Sequence, residues 1–187
     1  MSSPKRVRDA WLALRCQLGE PAAFRELVDE MERPLIYFAG KLLGSDRDAP
    51  DVVQDVWLEA FGKIGRLREP AALRPWLYQL TRNTAASRVR SDVARERREI
   101  DAALDEPATS DDAPDADWSA LDTARMHAEL DLLPLEQREV LTLFFIEDLS
   151  IDEISTVVRV PAGTVKSRLF YAKRRLRQAL EAHHAEL

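Results

Sequence analysis

The stretch that decides the fold spans residues 150–177 and reads SIDEISTVVRVPAGTVKSRLFYAKRRLR. Ser150 and Glu153 have the spacing of a capping box, in which each side chain satisfies a free backbone N–H at a helix start. A short helix is therefore predicted as far as about Val158, and the Val-Pro-Ala-Gly sequence at 160–163 predicts a turn. A longer helix follows. This succession is the pattern of a helix-turn-helix.

The second helix of this motif is predicted to contact DNA. Residues 159–177 contain seven basic residues and no acidic residue. In a helix-turn-helix the early residues of the second helix meet base edges, and later basic residues meet phosphates. A solvated basic helix is the alternative, and the capped helix and turn before it favour DNA binding. The predicted contact residues are Thr164, Lys166, Ser167, Arg168, Tyr171, Arg174 and Arg175.

Charge is segregated along the chain, although the 187 residues have a formal net charge of −6. Residues 61–98 hold ten basic and three acidic side chains, whereas 99–117 hold eight acidic and no basic ones. The acidic stretch also has two prolines and few large apolar residues, so burial cannot offset its ordering entropy. We therefore expect a flexible acidic linker at 99–117 between a domain at 1–98 and a domain at 118–187.

The N-terminal domain is also predicted to be helical, which makes the fold class all-α. An apolar face recurs at three- and four-residue steps through residues 24–38, and the Gly-Ser pair at 44–45 is predicted to close that helix. Asp48 is the predicted cap of the next helix, with Pro50 in its first turn. Pro75 is predicted to begin a further helix after a basic loop.

Several classes of protein are not expected. Cys16 is the one cysteine, the three histidines (His127, His183 and His184) lack ligand spacing, and no glycine-rich phosphate loop occurs. We therefore expect no metal, cofactor or catalytic residue. The sequence has no apolar run long enough to span a membrane, and it has no secretory signal. Both observations favour a cytoplasmic protein.

Three stretches together resemble the bacterial extracytoplasmic-function sigma factors. Residues 133–169 resemble region 4 of that family, 48–61 resemble region 2.2, and 75–85 resemble region 2.3. The resemblance implies a transcription initiation factor rather than an enzyme. Such a factor binds core RNA polymerase, directs it to promoters through −10 and −35 elements, and helps to melt the −10 DNA. It also implies an anti-sigma factor as a regulatory partner and assigns the second helix of the helix-turn-helix to the −35 element.

The resemblance further assigns two surfaces in the N-terminal domain. An acidic face with an apolar centre suits a basic coiled coil of the polymerase. Its residues are Asp51, Gln54, Asp55 and Leu58. The −10 surface would receive a flipped base, whose edge an amide can bind. Its residues are Leu67, Arg68, Arg74, Trp76, Arg82, Asn83 and Arg88.

Individual members of the −10 set keep alternatives open. Asn83 matches the position that lines the base pocket, while Leu67 stands where relatives can have an aromatic residue, which puts base stacking there in doubt. Trp76 is either a melting aromatic or, more commonly at such a position, a core residue.

The predicted linker is long enough for both promoter elements. Its 19 residues span at most about 63–68 Å, close to two DNA turns of ~34–36 Å each. Two rival functions are a sigma mimic that binds an anti-sigma factor without DNA, and a one-component repressor. The basic blocks argue against the first, and the matches at 48–61 and 75–85 argue against the second. The formal net charge of −6 also predicts that the chain alone binds promoters weakly.

Overall fold

The computed structural model of the protein describes residues 4–100 and 126–184, with side chains over 5–91 and 126–179. All regular secondary structure in these ranges is helical, so the predicted all-α class is confirmed. The predicted linker at 99–117 lies outside them except for its first two residues, which continue a helix.

The described chain forms seven α-helices, two 3₁₀ helices, and a helical segment at 126–131. The N-terminal half contains α1 (Pro4–Gln17), α2 (Pro21–Leu43), α3 (Ala49–Lys63), the 3₁₀ helices Ile64–Arg66 and Pro70–Ala72, and α4 (Leu73–Ile100). The C-terminal half contains α5 (Leu135–Phe145), α6 (Ile151–Val158) and α7 (Ala162–His184).

The N-terminal half is a bundle in which α2, α3 and α4 pack on one another and α1 packs on α2, α4 and the two 3₁₀ helices. The predicted apolar face of α2 is buried, and Phe38 meets Tyr78 of α4 edge to face with ring centroids 5.3 Å apart. Gly44 ends α2 with φ 71°, a left-handed conformation that glycine adopts without a Cβ clash. The predicted end of that helix is therefore confirmed.

Two local predictions in this half differ from the structure. Asp48 makes no side-chain capping bond, because its backbone is already helical (φ −93°, ψ −6°) rather than extended as a capping residue requires. The α4 helix begins at Leu73 rather than at Pro75, since a proline fits anywhere in the first turn, where the N–H has no helical partner.

The basic loop before α4 is ordered by contacts with α1. The side-chain amide of Gln17 donates hydrogen bonds to the carbonyls of Ile64 (3.1 Å) and Leu67 (2.7 Å). These bonds hold the loop against the bundle, so the backbone of the predicted −10 loop has a defined position.

The helix-turn-helix is present as predicted. Ser150 accepts a hydrogen bond from the Glu153 backbone N–H, and the Glu153 carboxylate accepts one from the Ser150 N–H at 2.8 Å. Arg159 ends α6 in the left-handed region with φ 56°, which turns the chain toward α7. Val165 and Leu169 of α7 are buried, and they orient the polar side of that helix outward.

The two halves pack against each other as well as within themselves. One continuous cluster of buried side chains joins Leu77 and Tyr78 of α4 to Val140 and Leu143 of α5 and Val157 of α6. The sequence indicated two helical units but contained no signal for how they meet.

The capping box gives a stability test. Replacing Ser150 with alanine leaves the Glu153 backbone N–H without its acceptor, and we expect a loss of about 1 kcal/mol in the free energy of unfolding. Chemical denaturation of the wild type and of Ser150→Ala measures this loss.

Threonine also caps helices, so Ser150→Thr is the matched control and should retain most of the wild-type stability. Equal midpoints for the alanine variant and the wild type would contradict a stabilising role for the box.

Candidate nucleic-acid and partner interfaces

The polar face of α3 is fully displayed to solvent. The helix buries Val52, Val53 and Val56 against the bundle. Because side chains three and four positions apart share a helix face, the opposite side must point outward. The predicted polymerase-binding residues Asp51, Gln54, Asp55 and Leu58 are all exposed there.

An apolar pocket of about 550 Å³ lies beside this face, between α2 and α3. Leu58 and Phe61 at its edge are 70% and 71% exposed, and the Phe61 ring meets Phe24 edge to face at 5.2 Å. The indole N–H of Trp57, which also lines the pocket, has no acceptor in the described ranges. Sequence reasoning missed Phe61, although its position three residues after Leu58 was a usable signal.

Some of the predicted −10 residues are at least partly exposed, and others bind acidic side chains of the protein. Arg68 is exposed on the loop, and Leu67 is half-buried at its inner side. Asn83 and Arg88 on α4 are half-buried. Trp76 is half-buried as well and packs on the apolar core. Of its two predicted roles, core residue or melting aromatic, this position fits the core residue.

Arg74, another predicted −10 residue, is held inside the N-terminal half. It is 9% exposed, and its guanidinium binds Asp9 at 2.7 Å and also Glu30. Asp9 comes from α1 and Glu30 from α2, so this ion-pair cluster joins three helices. In this arrangement Arg74 does not face solvent.

Arg82 of the −10 set is half-buried and contacts the C-terminal half. Its Nε donates to Glu139 of α5 at 2.5 Å, and Glu139 is 3% exposed. Burial raises the pKa of the Glu139 carboxyl above its ordinary value, while the charge of Arg82 opposes that rise. The charges of Arg82 and Arg168 thus both compensate the buried carboxylate, and Arg82 also binds it directly.

Further polar contacts join the halves, and three of them involve Tyr78, Lys41 and Tyr37. The buried Tyr78 hydroxyl donates to Glu147, which is 6% exposed. Lys41 binds Asp131 at 2.7 Å, and the Tyr37 hydroxyl shares a 2.7 Å hydrogen bond with Nδ1 of His127. We call these three contacts and the Arg82–Glu139 pair the interdomain clasp, defined as Tyr78–Glu147, Arg82–Glu139, Lys41–Asp131 and Tyr37–His127.

Burial shifts the pKa values of other groups in the clasp as well, and it raises those of Tyr37 and Tyr78. It raises the pKa of Glu147 against the opposing hydrogen bond from Tyr78. The pKa of His127 is lowered by burial and by the charge of Lys41. Sequence reasoning missed Glu139 and Glu147, because a glutamate beside another charged residue, Arg138 or Asp148, looks like a solvated residue.

The predicted DNA face of α7 is largely free. Thr164, Lys166, Ser167, Tyr171, Arg174 and Arg175 are exposed. Arg168 is half-buried and binds the exposed Glu136 of α5 at 2.7 Å. Because Glu136 is solvent-exposed, this ion pair contributes little free energy, and Arg168 can exchange its partner at small cost.

Over residues 4–100 and 126–184, no three His, Cys, Asp or Glu side chains are grouped so that they could hold a metal ion. None of the helices within that part of the chain is long and apolar enough to cross a membrane.

Comparison with known proteins agrees with this architecture. Residues 27–95 match the Sigma-70 region 2 family, and residues 123–176 match the Sigma-70 region 4 family. The chain is 31% identical to the RNA polymerase sigma-H factor of Pseudomonas aeruginosa, over 93% of this chain and 94% of that protein. It is 34% identical to the ECF RNA polymerase sigma factor SigL of Mycobacterium tuberculosis, over 87% and 92%.

A solved structure also matches over most of its length. The sigma factor RpoE of Bartonella quintana, solved in complex with the anti-sigma factor NepR, superposes with a TM-score of 0.69 at 26% identity. The match covers 84% of this chain and 96% of that one. Both halves and their order are those of sigma-70 factors. The chain belongs to the extracytoplasmic-function (ECF) RNA polymerase sigma factors, which are transcription initiation factors.

Proposed function

We propose that this sigma factor binds core RNA polymerase through the exposed face of α3 and directs it to promoters through −10 and −35 elements. The observation that supports this most is the joint exposure of Asp51, Gln54, Asp55 and Leu58 beside an apolar pocket. An apolar patch that stays exposed on a folded chain is typical of a surface that binds a partner.

The chemistry of the α3 face suits a basic coiled coil. Leu58 and Phe61 would be desolvated on binding and supply apolar contact area at the centre. Asp51 and Asp55 lie toward the start of the helix, where they would steer a cationic surface and fix its register.

In the N-terminal half, we propose that the basic loop and α4 receive the −10 element. Arg68 would meet phosphate, Asn83 would bind the edge of a flipped base, and Arg82 and Arg88 would contact the backbone. The ion pairs of Arg74 with Asp9 and Glu30 favour a structural role for that residue, which would position the loop rather than touch DNA.

The −35 element would be read by α7 in the major groove. Thr164, Ser167 and Arg168 would approach base edges, and the later cations Arg174 and Arg175 would neutralise phosphates. Arg168 would leave Glu136 to donate to a guanine or a phosphate.

An anti-sigma factor is the proposed regulator. The matched sigma factor RpoE of Bartonella quintana was solved bound to the anti-sigma factor NepR. For this chain such a partner would compete with polymerase for exposed apolar surface. We place this activity in the cytoplasm, where polymerase and promoter DNA are found.

Charge reversal on α3 tests the polymerase surface. The double variant Asp51→Lys and Asp55→Lys should bind core polymerase roughly a hundredfold more weakly, because two favourable charge contacts become repulsive. Quantitative binding to purified core polymerase without DNA measures the loss, and circular dichroism checks that helix content is unchanged.

The matched control reverses two exposed acids elsewhere, Glu69→Lys and Asp152→Lys, and so changes the net charge equally. This control should bind core polymerase like the wild type. If the α3 variant keeps wild-type affinity, or both variants lose affinity alike, the assignment of the α3 face fails.

Arg168 tests the −35 surface. We expect Arg168→Ala to weaken holoenzyme binding by about 1–3 kcal/mol on promoters that contain the upstream element and much less on promoters that lack it. Mobility-shift titration of holoenzyme on the two promoter sets gives both values.

Glu136→Gln removes the partner of Arg168 but keeps the guanidinium, so it separates DNA contact from loss of the ion pair. It should leave upstream binding near the wild-type level. An equal loss for Arg168→Ala on both promoter sets would instead indicate a general electrostatic role.

A further inference from the structure

We propose that Gln17 is a positioning residue for −10 recognition. Its side-chain amide fixes the backbone of the loop at 64–72 before DNA arrives, and the fixed backbone decides which −10 bases the loop accepts. This inference deepens the proposed −10 function of the loop and rests on it. Gln17 acts through Leu67 and Arg68 and has no contact with DNA of its own.

The Gln17 amide binds two carbonyl groups at the start of the loop. Its Nε2 atom lies 3.1 Å from the carbonyl oxygen of Ile64 and 2.7 Å from that of Leu67. A side-chain amide has two donor hydrogens, so one residue can satisfy both acceptors at once. The Leu67 N–H also donates to the Ile64 carbonyl at 3.1 Å. These three hydrogen bonds together define the backbone of the first turn of the loop.

The backbone that presents this amide is itself fixed. Gln17 is the last residue of α1, and the chain turns directly after it at Gly19, whose φ is 79° and whose N–H donates to the Cys16 carbonyl at 3.0 Å. Two residues before Gln17, Arg15 binds Glu26 of α2 at 2.9 Å. The end of α1 is therefore tied to the bundle, which preorganises the amide for the loop.

The same helix also holds the chain just after the loop. Asp9 of α1 binds Arg74 at 2.7 Å, two residues beyond the end of the loop. Between these two attachments Arg68 is exposed and Leu67 is half-buried. Gln17 is the attachment nearer in sequence to both residues, because it binds the Leu67 carbonyl itself. We therefore expect Gln17 rather than Arg74 to control the direction in which Leu67 and Arg68 point.

A loop that is fixed before binding improves base selection in two ways. It loses less conformational entropy when the correct DNA binds, so the correct complex is tighter. It also cannot shift to accommodate a wrong base, whose polar groups are then left without partners. Loss of the Gln17 hydrogen bonds should therefore weaken the correct −10 sequence more than a wrong one.

Four variants of the full chain test this role. Gln17→Met keeps a long, uncharged side chain and removes both donors. Gln137→Met makes the same change at another half-buried glutamine, on α5 and outside the surfaces proposed for polymerase and DNA. Gln17→Lys restores N–H donors beside the loop. The double variant Gln17→Met with Leu18→Lys adds the same charge at an exposed neighbouring position without restoring them.

Hydrogen exchange of the free chain measures the loop directly. We expect the backbone amides at 64–69 to exchange about tenfold faster in Gln17→Met than in the wild type, because the loss of two hydrogen bonds favours locally open conformations. Exchange in the interiors of α2, α3 and α4 should be unchanged. Gln137→Met and Gln17→Lys should both keep the slow exchange of the loop.

Base selection is measured with holoenzyme assembled from core polymerase and each variant. The probe is a pool of fork-junction DNAs whose single-stranded −10 segment is randomised. A sequence that the wild type enriches is compared with its single-base variants, and the ratio of their affinities gives the selectivity. Gln17→Met should lower this ratio about tenfold while its affinity for core polymerase stays at the wild-type value. A destabilised bundle would weaken core binding as well, so the two readouts separate positioning from general loss of stability.

Gln17→Lys should recover the wild-type selectivity, and the double variant should not. Unchanged loop exchange in Gln17→Met, unchanged selectivity despite faster exchange, or an equal loss of core binding would each overturn the proposal. So would failure of Gln17→Lys to recover selectivity, or equal recovery by the double variant. Failure of the proposed −10 function is distinguishable, since the wild-type holoenzyme would then enrich no sequence from the pool while Gln17→Met still showed faster exchange at 64–69.

Discussion

The burial of α4 on two sides is the constraint on which the rest of the structure depends. One side of the helix packs in the bundle with α2 and α3, and the other meets α5 and α6 of the C-terminal half. Tyr78 lies between them with no exposed surface, so its hydroxyl requires an internal acceptor, which Glu147 provides. Because α4 is also the helix proposed to bind −10 DNA, Arg82 has a packing role in this structure and a proposed role in DNA binding.

Cations from one stretch of sequence have partners in different halves of the molecule. Arg74 and Arg82 come from one basic stretch of sequence, yet Arg74 neutralises acids inside the N-terminal half while Arg82 neutralises an acid of the other half. A guanidinium can serve either role because its planar donors suit carboxylate and phosphate alike. The α3 face differs, since its acids and the apolar side chains of Leu58 and Phe61 are exposed.

Periodicity and local spacing predicted much of the molecule. The spacing of apolar residues in the sequence predicted the buried faces of α2 and α7, because a helix repeats every 3.6 residues. The Ser150–Glu153 box marked the start of α6 because both bonds are local. Asp48 was the local failure: it has the right residue type for a cap, but its backbone is helical and no bond forms. Residue type gives the potential for a cap, and backbone geometry decides whether it is used.

The amino-acid sequence by itself determined the helical class, the helix-turn-helix, the outward face of α3 and the separation of charge into blocks, because each depends on residues close together along the chain. Only the tertiary structure decided which cations are free, since Arg74 and Arg82 find partners 65 and 57 residues away. It alone placed Phe24 against Phe61 beside the α3 face and brought Glu139 and Glu147 to α4. Contacts between residues so far apart in sequence depend on how whole helices pack. The residue pattern of one helix does not indicate which helix will pack against it.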